Sequence, residues 1–383
     1  MSVTAAKGFQ AAGIAAGIKE SGNADLALVV NRGPRLAAAG VFTSNRVKAA
    51  PVLWSEQVLK GGLVSAVVLN SGGANACTGP KGFQDTHATA EKVAEVLDLN
   101  AGEVAVASTG LIGVLLPMDK LLPGVETAAA QLSEHGGEKA AIAIKTTDSV
   151  HKTAVYEGDG WTVGGMAKGA GMLAPGLATM LVVLTTDADL DSDVLDKALR
   201  DATRVTFDRV DSDGCMSTND TVLLLASGAS EVAPEYAEFA TAVRTVCDDL
   251  GRQLIGDAEG ASKDIKVEVI HAATEDDAVE VGRSIARNNL LKCALHGEDP
   301  NWGRVLSAIG TTGAAFEPER LNVAINDVWV CKNGGVGEDR DKVDMRYREV
   351  HIVADLAAGT ETATIWTNDL TADYVHENSA YSS

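Results

Sequence analysis

Residues 168–188 read KGAGMLAPGLATMLVVLTTDA. Within them a stretch with Gly169, Gly171, Pro175 and Gly176 gives way at Ala178-Thr179 to a run of apolar, strand-forming residues. A threonine hydroxyl is a poor nucleophile until a neighbour takes its proton. The most economical base is the residue's own α-amino group, with a reference pKa of about 7.7–8, which exists only where Thr begins a chain. An internal Thr179 gains that amine by self-cleavage. Its hydroxyl attacks the Ala178 carbonyl, the acyl chain shifts from nitrogen to oxygen, and water hydrolyses the ester. Small residues before the bond and a loop constrained by Gly and Pro permit the close backbone approach this needs. The same letters also describe an ordinary loop feeding a buried strand, since Thr favours strands. On pattern alone both readings stand.

Other sources of chemistry are missing from the sequence. It contains no GxxxxGK[ST] phosphate loop, no GxSxG elbow and no HExxH pair. GAGMLA at 169–174 matches the dinucleotide pattern in form, but Pro175 and Gly176 follow where a helix must begin. The five cysteines (Cys77, Cys215, Cys247, Cys293, Cys331) are far apart and include no CxxC, which argues against disulfides and zinc. No metal and no resident cofactor are expected. NDT at 219–221 has the form of a glycosylation acceptor, with nothing else to suggest secretion.

The chain has 383 residues and a formal net charge of −21. Such a surface repels nucleic acid and anionic lipid, so neither is expected as a partner. An anionic substrate would need cations built into its own site. The first residues, MSVTAAKGFQAAGIAAGIKE, do not read as a signal peptide, and no apolar run reaches membrane-spanning length. The expectation is a cytoplasmic protein.

The elements that must position Thr179 can be read in part. Strand patterns occur at 25–31, 64–70, 103–107, 179–184 and 265–270, the last with Ile265, Val267 and Val269 facing one way. Helical periodicity runs through 235–255, where Phe239, Val243, Cys247, Leu250 and Leu254 recur every three or four residues. A second helix is predicted over about 278–291, with Thr274 as N-cap, and a third after Pro117. Strands and helices alternate irregularly, which predicts a mixed α/β (α+β) fold of layered sheets flanked by helices. The length implies two domains, placed at 1–274 for a catalytic core and 275–383 for a smaller C-terminal α/β domain.

Further motifs turn this reading into a resemblance. KGAGMLAPGLATML is similar to the self-cleavage segment of the ornithine acetyltransferase (glutamate N-acetyltransferase) family of arginine biosynthesis. FTSNRVKAAPV (42–52), NSGGANACTG (70–79), STGLIG (108–113), LPMDK (116–120) and KTTD (145–148) are similar to family motifs in the same order. So are DSDGCMSTNDTV (211–222), DAEGASK (257–263), GEDPNWGR (297–304) and the terminal NDLTADYVHENSAYSS (368–383), so the likeness spans nearly the whole chain.

The resemblance implies a precursor cut between Ala178 and Thr179 into an α chain (1–178) and a β chain (179–383), two of each forming a heterotetramer. Thr179 would accept acetyl from N-acetylornithine, release ornithine and pass the acetyl to glutamate. Acetyl-CoA serves as donor in some members. Thr109 and Gly110 would form the oxyanion hole. Lys168, one of Thr146 and Thr147, Glu259, Asn378 and Ser383 would contact substrate together with Thr179, the last two from a tail folded over it. Taken singly, STG at 108–110 also suits a strand-ending turn, Lys168 a solvated loop lysine, and Glu259 an exposed turn acid. DPNWGR is read as structural, with Asp299 pairing Arg304 and Trp302 packing. Two rival functions are an amidase or aminopeptidase on a similar self-cleaving scaffold, and an acidic binding protein with no catalysis.

Self-cleavage is open to direct test. The purified protein is expected to give two fragments on denaturing intact-mass analysis, the larger beginning at Thr179, while Thr179→Ala stays a single full-length chain. One intact chain in both samples would return the 168–188 stretch to a loop feeding a strand.

Overall fold

A computed structural model describes residues 2–174 and 180–380. The chain forms two compact units: 2–208 with 215–257, and 209–214 with 258–380. The first unit opens with β1 (Phe9–Ile14), β2 (Leu26–Asn31), β3 (Ala37–Phe42), α1 (Ala50–Leu59), β4 (Ala66–Asn70) and α2 (Gly79–Leu97). It continues with β5 (Val104–Ser108), α3 (Met118–Ala130), α4 (Gly137–Ala143), β6 (Lys152–Glu157) and β7 (Thr162–Lys168). It ends with β8 (Leu181–Thr186), α5 (Ser192–Val205), β9 (Thr221–Ala226) and α6 (Tyr236–Gly256).

These strands make two sheets, ordered β1-β2-β4-β5 and β3-β9-β8-β7-β6. Each is antiparallel apart from one parallel pair, β4–β5 in the first and β8–β9 in the second. A parallel pair cannot be joined by a hairpin and needs a crossover. Here α2 makes the first crossover and α5 the second.

Strand periodicity then sorts the side chains into layers. Val67 and Leu69 of β4 and Ala105 and Ala107 of β5 share one apolar cluster with Leu181 and Val183 of β8 and Leu223 and Leu225 of β9. The intervening Ala66, Val68, Val104 and Val106 face the other way, against Val93 of α2 and Leu121 and Val125 of α3. On the far side α6 lies along β6 and β7, and α5 along β3. The unit is thus a helix–sheet–sheet–helix stack. Strands covered on both faces have no polar side, so β2, β4, β5, β8 and β9 are buried along their whole length. That is why these segments read as apolar runs and not as alternating patterns.

The second unit contains β10 (Asp264–Ala272), α7 (Glu275–Ala286), α8 (Asn289–His296), α9 (Trp302–Ile309), β11 (Asn322–Ile325) and β12 (Val328–Lys332). It closes with β13 (Gly335–Val336), β14 (Glu349–Asp355), β15 (Glu361–Asn368) and α10 (Ala372–Ala380). The strands form one sheet, β13-β12-β11-β14-β10-β15. Ile265, Val267 and Val269 of β10 point into a core with Val281 and Ile285 of α7 and Val305 and Ile309 of α9. The expected domain boundary at 275 falls inside this unit, between β10 and α7.

Four local expectations can be checked, and two of them hold. Thr274 does cap α7, its side chain accepting the Asp277 N–H at 3.0 Å. However, the single helix expected over 278–291 is two helices, because Asn288 ends the run and caps α8 by accepting the Leu291 N–H at 3.0 Å. Asp299 and Arg304 do not pair. Asp299 takes Arg340 instead, and Arg304 donates to the Leu290 carbonyl. Trp302 packs against the core of the unit, as expected.

Candidate active site

Thr179 and Ala178, like Ser383, lie outside the described residues, so the site is built from the groups on either side. Met180, the residue after Thr179, is fully buried and stands immediately before β8. In the sheet, β8 runs between β7 and β9.

Thr109 and Gly110 follow directly on β5. Thr109 is 2% exposed, its N–H bonded to the Asn70 carbonyl and its C=O to the Gly73 N–H, both at 3.0 Å. Gly110 has φ of +130°, and a Cβ there would sit 2.7 Å from the Gly73 nitrogen. Only glycine fits both constraints. The turn is braced from a third segment by Asn219, whose side-chain amide donates to the Ser108 carbonyl at 2.8 Å and the Ala74 carbonyl at 2.6 Å. Asn70 adds two more contacts, donating to the Gly73 carbonyl at 2.9 Å and accepting from the Ser108 hydroxyl at 2.6 Å. The Gly110 N–H itself has no acceptor among the described residues. A rigid turn with an unused amide beside a hydroxyl is the form an oxyanion hole takes.

Lys168 is not a loop lysine. It is the last residue of β7, 2% exposed, and its Nζ donates to Thr109 Oγ at 3.3 Å. The contact orients the threonine: with its oxygen accepting from an ammonium, the Thr109 hydroxyl proton is free to point at another acceptor.

Burying an ammonium needs compensating charge, and Asp148 supplies it. One Asp148 oxygen accepts from Lys152 Nζ at 2.7 Å and from the Gly169 N–H at 2.6 Å. The other accepts from the Thr146 N–H at 3.0 Å. Burial works to raise this carboxyl, but Lys168, Lys152 and the Gly169 amide outweigh it and bring it down to about 2. Lys152 is wholly buried and also donates to Asp257 at 2.6 Å. Asp148 therefore fixes two neighbours of the site together, the glycine after Lys168 and the KTTD segment. Thr146 and Thr147 are half-buried, and neither hydroxyl has a hydrogen-bond partner among the described residues.

In the second unit, Glu259 is half-buried in the turn before β10 and accepts from the Asn378 side-chain amide at 2.9 Å. The tail forms α10, capped by the Thr371 hydroxyl, which accepts the Tyr374 N–H at 2.9 Å and donates to the Gly260 carbonyl at 2.6 Å. A Cβ on Gly260 would meet the Tyr374 nitrogen at 2.2 Å. Glu259 and Asn378 are thus brought together by a fitted contact.

Asp148, Lys152, Asn70 and Asn219 were not singled out from the sequence as residues of the site. Three of them stood inside motifs quoted for the resemblance (NSGGANACTG, KTTD and DSDGCMSTNDTV). Some of their partners lie far off in the chain, 145 positions away for Asn219 and Ala74 and 105 for Lys152 and Asp257. Among the described residues no group of three or more His, Cys, Asp or Glu could hold a metal ion, and no helix is long and apolar enough to cross a membrane.

Comparison with known proteins converges on one family. The ArgJ family pattern matches residues 10–383. The arginine biosynthesis bifunctional protein ArgJ of Streptomyces avermitilis is 90% identical over the full length of both chains, and its counterpart in Thermobifida fusca is 63% identical, likewise full length. An ornithine acetyltransferase of Mycobacterium tuberculosis, solved in complex with ornithine, is 61% identical over 47% of this chain and 96% of its own, with a TM-score of 0.45.

The Asp148 cluster makes a pH prediction. Its carboxyl titrates at about 2 in the folded protein against an ordinary 3.8, so the unfolded chain takes up the proton first as pH falls. The resulting stabilisation is complete above about pH 4 and is lost toward pH 2, and it amounts to about 2 kcal/mol. Urea unfolding of wild type and Asp148→Asn is expected to show a stability gap at pH 5 that narrows by about that amount toward pH 2. A gap that does not change with pH would contradict it.

Proposed function

The chain belongs to the ArgJ family of arginine biosynthesis, and from that premise we propose that Thr179 carries acetyl from N-acetylornithine to glutamate. The family makes it an acyltransferase and a bifunctional enzyme, and at 90% identity to a named ArgJ protein the hydrolytic reading is not favoured. The observation that carries the mechanism is the Thr109 hydroxyl beside the Gly110 amide, which has no acceptor among the described residues, in a turn locked by Asn219 and backed by Lys168.

In the first half-reaction the Thr179 α-amine takes the hydroxyl proton as Oγ attacks the acetyl carbonyl carbon. Negative charge moves to the carbonyl oxygen, where the Thr109 O–H and the Gly110 N–H donate to it. Each such donor contributes about 2.7–4 kcal/mol in a water-excluded site. The C–N bond then breaks, and the proton held by the α-amine passes to the departing ornithine nitrogen. Acetyl-Thr179 remains. In the second half the amine of glutamate attacks the ester, loses its proton to the same α-amine, and leaves as N-acetylglutamate while Thr179 Oγ regains a proton.

Lys168 strengthens the Thr109 donor and brings positive charge for a substrate carboxylate in a protein of net charge −21. Thr146 or Thr147 offers a hydroxyl to the substrate, Glu259 holds its ammonium, and Asn378 and Ser383 contact it from the tail. The bifunctional names of the relatives support acetyl-CoA as a second acetyl donor. Cleavage at 178–179, assembly of two α and two β chains and a cytoplasmic site of action belong to the same reading.

Initial rates with N-acetylornithine and glutamate are expected to give parallel double-reciprocal lines, the pattern of a covalent intermediate. Intersecting lines would contradict it. Gly110→Ala and Lys168→Met are each expected to lower kcat by about 100-fold or more, measured on folded protein. A wild-type rate in Gly110→Ala would remove the oxyanion hole from the account.

A further inference from the structure

Asp220 is a buried acid that the mechanism above does not use. It stands immediately before β9, none of its surface is exposed, and Oδ2 has no hydrogen-bond partner among the described residues. Its other oxygen, Oδ1, accepts the Met180 N–H at 3.0 Å. That nitrogen is the one that joins Met180 to Thr179, two covalent bonds from the Thr179 Cα. The next residue completes a clamp, since the Thr221 N–H donates to the Met180 carbonyl at 3.1 Å. Residues 220 and 221 therefore hold both polar groups of Met180, one through a side chain and one through the backbone.

An ordinary ladder bond explains the Thr221 contact, because β8 and β9 are parallel neighbours with Leu181 opposite Thr221. It does not explain a carboxyl group. Burial drives Asp220 well above the usual carboxylate range, against the opposing pull of the Met180 amide, the Ser217 hydroxyl and Lys168. An acid placed where ionisation is so unfavourable is an expensive way to meet the Met180 N–H and the Ser217 hydroxyl. Asp187, just beyond the other end of β8, makes the contrast plain: it is equally buried but shares its two oxygens between the Lys7 and Thr162 amides, at 3.0 and 2.7 Å.

We propose that Asp220 is a positioning residue for the Thr179 nucleophile, acting through the Met180 amide. The role rests on the reading of Thr179 as nucleophile and adds to it. A peptide unit fixed on both sides at Met180 limits the directions in which the preceding residue can leave the strand. Thr179 must present a hydroxyl first to the Ala178 carbonyl and later to an acetyl group, so the same constraint serves both steps. Misplacement of a reacting atom by about 1 Å costs on the order of 100-fold in rate.

The test compares full-length wild type, Asp220→Asn, Asp220→Ala and Asp187→Ala. Intact mass followed over time gives the self-cleavage rate, steady-state assays give kcat and KM for the cleaved protein, and thermal melting gives stability. Asn keeps a neutral acceptor of the same shape, so Asp220→Asn is expected to cleave and transfer acetyl within a fewfold of wild type. Asp220→Ala is expected to slow both steps on the order of 100-fold, with the loss in kcat and little change in KM. Asp187→Ala is expected to melt earlier but cleave normally. Should Asp220→Ala not accumulate as folded protein, Asp220→Ser removes the contact with a shorter polar side chain.

Wild-type rates in Asp220→Ala or Asp220→Ser would overturn the proposal. So would an Asp220→Asn variant as impaired as Asp220→Ala, which would make the acid proton the required feature. Equal slowing in Asp187→Ala would reduce Asp220 to a general stabiliser. A wild type that is never cleaved would instead sink the Thr179 reading, and this proposal with it.

Discussion

Burying the Lys168 amino group, 2% exposed, is the constraint around which this part of the first unit is arranged. An ammonium in that position is tolerated only with a fixed counter-charge and a hydrogen-bond acceptor. Thr109 is the acceptor and Asp148 the counter-charge, and each binds further groups in turn. Thr109 is held at the end of β5 by Asn70 and Gly73. Asp148 is held by Lys152, which reaches Asp257 just past α6. Strands β5 and β7 belong to different sheets, so the Lys168–Thr109 contact ties the two halves of the sandwich together at the point where the chemistry is assigned.

Electrostatics gives the arrangement its purpose. The whole chain is strongly acidic, and an anionic substrate approaching it meets repulsion everywhere except where cations are concentrated. Lys19, Lys152 and Lys168 gather around Asp148, and burial holds Lys19 below its ordinary value, with Lys168 adding to the effect. Two of these ammonium groups spend their charge on structure. Of the three, Lys168 is the one that reaches the Thr109 hydroxyl, at 3.3 Å.

Much of this was legible in the sequence, and the limits have physical causes. Strands β4, β5 and β8 announced themselves because burial on both faces selects unbroken runs of Val, Leu and Ala. Strand β7 did not, since TVGGMAK fills its buried positions with small residues and shows neither alternation nor a β-branched run; Lys168 therefore read as part of a glycine-rich loop. The helix over 278–291 looked continuous because one apolar periodicity runs through both α7 and α8, and only the Asn288 cap divides them. Thr109 and Gly110 were reached through a motif, and they follow directly on β5, as a strand-ending turn does. The groups that hold them came only from the structure. Asn219 acts on Ser108 across 111 positions and Asp257 on Lys152 across 105, and no local pattern encodes such pairs.

The account turns on an acetyl group resting on Thr179. Its most direct test is to mix the enzyme with N-acetylornithine in the absence of glutamate, quench in acid within one turnover, and map the fragments by mass. The account predicts one added acetyl on the fragment that begins at Thr179, released when glutamate is supplied before the quench. A fragment that never carries acetyl, although ornithine is produced at the normal rate, would contradict a covalent route and leave direct transfer between the two substrates as the mechanism.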